Sequence, residues 1–127
     1  MPLVRIDVLA GRTAEQLTAI ADAVHDALVQ AIGIPVADRF QVLTEHAPGT
    51  LIFDRSYLGV ERTDGVVIVQ VTLSVGRTLE KKRALYEGIA RQLSARAGVR
   101  PEDVFVNLVE VTKEDWSFGN GIAQYAT

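Results

Sequence analysis

The chain has 127 residues and a mass of 13.8 kDa, the length of one domain and enough to bury roughly two-thirds of its unfolded surface without staples. It contains no cysteine, which excludes a disulfide scaffold, a thiolate nucleophile, an iron–sulfur centre and any cysteine-ligated zinc. Thirteen basic and sixteen acidic residues leave a net charge of −3, with no basic block long enough to track a phosphate backbone, so no nucleic-acid partner is expected.

The first predicted element is a strand over Leu3–Leu9, where Leu3, Val4, Ile6 and Val8 alternate with polar residues. Thr13 and Gln16 then form a T-x-x-Q capping box. Leu17, Ile20, Ala21, Val24, Ala27, Leu28, Ala31 and Ile32 follow a helical period up to a stop at Gly33. Residues 40–45 read as a second strand. Pro48-Gly49, Gly59 and Asp64-Gly65 mark residues 47–65 as a linker, with a short strand possible at 50–53. Residues 66–73 are apolar almost throughout, as in a strand covered on both faces. A helix over 79–97 buries Leu85, Ile89, Leu93 and Ala97 and stops at Gly98, and a strand follows near 104–109. The tail, residues 112–127, carries Trp116, Phe118 and Tyr125, too much aromatic surface to leave in water.

These elements repeat. Shifted by 65 residues, segment 1–46 lies over 66–111 without a gap and with 12 identities in 46 positions. Gly11-Arg12-Thr13 falls on Gly76-Arg77-Thr78, Gly33 on Gly98, Asp38 on Asp103 and Phe40 on Phe105. The expected fold is therefore a single α+β domain, a duplicated βαβ with a four-stranded mixed sheet, two helices on one face and a C-terminal tail. Right-handed crossovers make the strands within each unit parallel. The sheet's other face also needs a cover, and oligomerisation is the simplest one.

Pattern alone does not separate this duplication from a ferredoxin-like regulatory module. Particular residues do. Met1-Pro2 at the start, Asp38-Arg39-Phe40-Gln41, Gly76-Arg77-Thr78 with Glu80-Lys81-Lys82, and Trp116-Ser117-Phe118-Gly119-Asn120-Gly121 together resemble the tautomerase superfamily. Within it, the chain is most similar to the group containing malonate semialdehyde decarboxylase.

The resemblance implies a cofactor-free homotrimer in which Pro2, exposed by removal of Met1, is the catalytic amine; a cytoplasmic location is the expectation from the lack of a membrane or export signal. An α-amino group has an ordinary pKa near 8, which an apolar pocket lowers and a neighbouring carboxylate raises. Such an amine can be a base or an acid near neutral pH. The resemblance further implies that Asp38 activates water or steers the charge on the proline, that Arg77 binds a substrate carboxylate, and that Trp116 and Phe118 form a hydrophobic wall. Against this, Asp38 and Asp103 both precede a strand, a common turn position, and Arg12 shares Arg77's place in the repeat. The decarboxylase pattern has a second arginine in this loop, where Val75 stands here. Tyr57, with Arg55 and Arg62, lies in the linker, placed to close over a substrate. His25 reads as a surface residue and His46 as solvated or structural, and two histidines so placed make no metal site.

The expected activity is keto–enol tautomerisation of a small oxo or enol carboxylic acid. Decarboxylation or hydration of a 3-oxo acid such as malonate semialdehyde is the alternative, and a non-catalytic oligomeric binding module is a further one. No stretch is long and apolar enough to span a membrane, the longest aliphatic run being Val66 to Val69, and no signal-peptide layout is visible.

Overall fold

The computed structural model describes residues 2–126. Its elements are β1 (Leu3–Leu9), α1 (Ala14–Ile32), β2 (Gln41–His46), β3 (Val67–Ser74), α2 (Leu79–Ala97) and β4 (Val104–Val111), with short 3₁₀ turns at Tyr57–Gly59, Pro101–Asp103 and Lys113–Asp115. The sheet order is β2-β1-β3-β4. β1 pairs parallel with β2 and β3 parallel with β4, while β1 and β3 run antiparallel at the centre. Each half is thus one βαβ unit, and the units meet through β1 and β3.

Both helices begin and end as their sequences require. Thr13 accepts the Gln16 N–H and Gln16 returns a bond to the Thr13 N–H, completing a capping box. The Thr78 side chain caps α2 by accepting the Lys81 N–H, without a returned side-chain bond. Gly33 and Gly98 close the helices at φ +69° and +65°, in the left-handed region where a side chain is strained. The helices cover one face of the sheet. Val4, Ile6 and Val8 of β1 and Val67, Val69, Val71 and Leu73 of β3 pack against Ile20, Val24, Leu28, Leu85, Ile89 and Leu93 in one buried cluster. The opposite face carries Arg5, Asp7, Val42, Gln70, Phe105 and Val109.

Three expectations need correction. No strand forms at 50–53; Thr50 instead closes a turn, its N–H and hydroxyl both donating to the Ala47 carbonyl at 3.1 and 2.6 Å. The turn breaks the extended backbone after β2, and residues 51–53 instead pack as irregular chain, Phe53 lining a cleft with Ile68 and Phe105. His25 is buried, with 3% exposure, because its Nε2 is bonded to the Val36 carbonyl at 2.8 Å under the loop after α1. The third concerns Tyr57, described below. His46 is bonded to Asp7 at 2.6 Å across the open face, a structural role.

Candidate active site

The site forms at the end of the sheet where β1 and β2 begin and β3 ends. Pro2 is buried directly before β1. Leu3 pairs with Thr72, and the Val4 N–H donates to the Phe40 carbonyl at 3.0 Å. These backbone bonds bring the start of β1 against both the loop carrying Asp38 and the end of β3. Asp38 is half-buried, and its N–H donates to the Pro35 carbonyl at 3.0 Å.

Beyond β3, Gly76 turns the chain at φ +126°, a conformation other residues rarely adopt, and presents Arg77. The half-buried Arg77 reaches back to the Ser74 carbonyl at 2.8 Å. The Ser74 hydroxyl, buried, accepts the Trp116 indole N–H at 3.2 Å. One residue thus fixes both the arginine and the tryptophan. Trp116 stacks on Phe118, with centroids 5.5 Å apart and planes at 6°. Phe118 meets Tyr125 edge-on at 4.8 Å and Phe40 at 6.3 Å. Such ring pairs are rigid as well as apolar.

The result is a cleft of ≈ 440 Å³ whose lining includes Leu3, Phe40, Thr72, Val111, Trp116 and Phe118. Its one acidic lining residue, Asp115, is held by the Thr112 N–H and hydroxyl at 2.8 and 2.9 Å. Among the described residues no cluster of three or more His, Asp or Glu side chains is placed to hold a metal ion.

Of the residues singled out in the sequence, Pro2, Asp38, Arg77, Trp116 and Phe118 gather at this end. Tyr57 does not. It lies, 66% exposed, with Val66, Ile68 and Phe105 at the opposite end of β3, because the linker runs beside the start of that strand and not its end. Sequence reasoning missed Ser74 as the joint between Arg77 and Trp116, and gave Phe40 no part in the wall. The repeat held a signal for the first: Ser74 falls on Leu9, a polar residue where the other half has an apolar one.

Two tautomerase-enzyme family models match the chain, over residues 38–119 and 2–60. A probable tautomerase, YusQ of Bacillus subtilis (strain 168), is 41% identical over 124 residues, covering 98% of each chain. A second from the same organism, YrdN, is 38% identical over all of this chain and 98% of its own. The chain belongs to the tautomerase family. Among solved structures it is similar to a malonate semialdehyde decarboxylase inhibited by 3-bromopropiolate, at 48% identity and a TM-score of 0.91, covering 97% of this chain and 93% of that one. A malonate semialdehyde decarboxylase described with decarboxylase and hydratase activities is 38% identical, also with a TM-score of 0.91, covering 97% and 95%. A fused 4-OT, a symmetric trimer, follows at 34% identity and a TM-score of 0.79, covering 98% of each.

Proposed function

We propose that the protein uses Pro2 to move a proton on a small oxo or enol carboxylic acid. With Met1 removed, the Pro2 nitrogen is a secondary amine. The apolar surroundings disfavour its charged form, which suits it to act as a base. In ketonisation it takes the enol proton and returns one at carbon. Arg77 offers parallel N–H donors to the substrate carboxylate, Asp38 orients the charge or the water, and Trp116 and Phe118 keep bulk solvent out. The carrying observation is the convergence of a buried Pro2, an Arg77 fixed through Ser74 and an aromatic wall at one end of the sheet. The test is ketonisation of an aryl enol acid by protein whose intact mass shows Met1 lost. No rate above the buffer reaction rejects the reading.

The two malonate semialdehyde decarboxylase structures favour a second reading on the same residues, decarboxylation or hydration of a 3-oxo acid. There a protonated Pro2 polarises the carbonyl and Asp38 handles water. The trimeric 4-OT relative supports a homotrimer. No helix of the described residues is long and apolar enough to cross a membrane, and a cytoplasmic location fits a soluble substrate.

A further inference from the structure

The sequence repeat builds a second cleft at the other end of the sheet. Leu3, Phe40 and Phe118 line the first cleft. Their counterparts 65 residues away, Ile68, Phe105 and Phe53, all line a cleft of ≈ 230 Å³, together with Tyr57, Asp54 and Arg62. Where Pro2 stands in the first half, the buried Val67 stands in the second, so this end has no amine to transfer a proton. The counterpart of Arg77 already has a counter-charge, since Arg12, which donates to the Gly65 carbonyl at 2.7 Å, lies in the field of the buried Asp103 carboxylate.

Arg62 supplies a cation in its place. It is half-buried, and its Nη1 donates only to the main-chain carbonyls of Asp54, Tyr57 and Val60, at 3.3, 3.3 and 3.1 Å. Among the described residues it forms no ion pair, whereas nearby Arg55 pairs with Asp64 at 2.5 Å and lies 4.7 Å from the Phe53 ring centre. A partly desolvated guanidinium with only neutral acceptors favours an anion beside it. Aromatic walls with one convergent charge are the make-up of a small-molecule site.

We propose that this cleft binds an aryl monocarboxylate without turning it over, the carboxylate on Arg62 and the ring among Phe53, Tyr57 and Phe105. Asp54, exposed and with Oδ2 accepting the Ser56 N–H at 3.0 Å, places a negative charge at the rim that disfavours a second carboxylate. The proposal does not depend on Pro2 chemistry.

Calorimetric titration of the full chain with 3-phenylpropionate tests it. Trp116 is the sole tryptophan, so its fluorescence reports the first cleft alone. The expected result is an additional site, one per chain, that does not change Trp116 emission and persists in Arg77→Ala. Arg62→Ala should weaken it at least about tenfold, the scale of a charge-assisted bond. Phe105→Ser, which leaves the carbonyl bonds of Arg62 in place, should weaken it in the same direction even if Arg62→Ala disturbs the linker. No Trp-silent binding overturns the proposal, including the case in which a neighbouring copy covers the cleft. Trp-silent binding that survives both substitutions also overturns it. Failure of the Pro2 mechanism would leave this Arg62-dependent binding intact, so the two outcomes are separable.

Discussion

Arg12 and Arg77 occupy the same position in the two halves of the repeat and both donate to a main-chain carbonyl, yet the two carbonyls differ in kind. Arg12 reaches 53 residues along the chain to Gly65, at 2.7 Å, where the linker enters β3. Arg77 reaches only three residues back, to Ser74 at 2.8 Å, within its own loop. Burial lowers the pKa of Arg12, and the charge of Asp103 partly offsets this. Asp103 itself is 2% exposed and accepts the Thr63 N–H and hydroxyl at 2.7 and 2.6 Å. At that end the Arg–Asp pair clamps the linker. At the other end the same two residue types, Asp38 and Arg77, lie on the loops before β2 and after β3, at the end of the sheet where the aromatic rings gather.

The two arginines should therefore fail in opposite ways. Arg77→Ala should raise KM for carboxylate substrates and reduce kcat/KM by about 1.5–3 kcal/mol, the worth of a charge-assisted hydrogen bond. Its urea midpoint should stay close to that of the parent. Arg12→Ala should leave KM in place and lower stability by about 1–3 kcal/mol, since the Gly65 carbonyl loses its donor and Asp103 a nearby positive charge. An unchanged KM in Arg77→Ala would return Arg77 to a purely structural role shared with Arg12.

Pro2→Ala keeps an α-amino terminus but exchanges a secondary amine for a primary one. Turnover of a phenylenolpyruvate-type substrate should fall at least about tenfold, general acid–base contributions being on the order of 10²–10⁴. Protein that retains Met1 has an amide nitrogen at Pro2 and should be inactive. Full activity in a sample whose intact mass includes Met1 would exclude the proline mechanism.

The repeat made the fold legible because every structural device occurs twice. Thr13 and Thr78 cap, Gly33 and Gly98 stop, and the valines of β1 and β3 alternate inward. Those are local signals, readable from spacing. The candidate site could be read only through resemblance, since Asp38 and Arg77 have look-alikes in Asp103 and Arg12, which hold the linker. What separates them is a long-range contact with residues 63–65, which no local pattern encodes. His25 was misread for a similar reason. Its helix position lies off the apolar stripe, and it is buried by the loop that folds back over it through the Val36 carbonyl. Tyr57 was misplaced because a linker's destination depends on which end of the sheet it passes.

Assembly is the next expectation. The sheet face away from the helices presents Val42 and Val109 beside polar pairs, Gln70 with Asn107 at 3.2 Å and Asp7 with His46 at 2.6 Å. A half-apolar face of this kind favours burial against a copy of itself. Sedimentation equilibrium should show a trimer at micromolar concentration. A stable 13.8 kDa species would reject it.

For the two proposed activities, the choice between enolisation and decarboxylation is expected to turn on Val75. It is 54% exposed, on the loop that carries Arg77 and two residues before it. One guanidinium can hold a single carboxylate through two parallel bonds, which suffices to enolise a 2-oxo acid. Decarboxylating a 3-oxo acid asks more, because the departing carboxylate must be twisted out of the carbonyl plane before it leaves as neutral CO₂. A second cation would help hold that geometry, and a valine cannot supply one. The unmodified protein should therefore ketonise an aryl enol acid measurably and decarboxylate malonate semialdehyde more slowly. Val75→Arg should raise kcat/KM for decarboxylation by roughly tenfold, the effect of one added charge-assisted bond. Ketonisation should change by less. The glycine turn at Gly76 is untouched by the substitution, and Val75 uses only its backbone, the N–H donating to the Val111 carbonyl at 2.8 Å. Efficient decarboxylation by the unmodified protein, with no detectable ketonisation, would reverse the ranking and show that Arg77 alone provides the positioning.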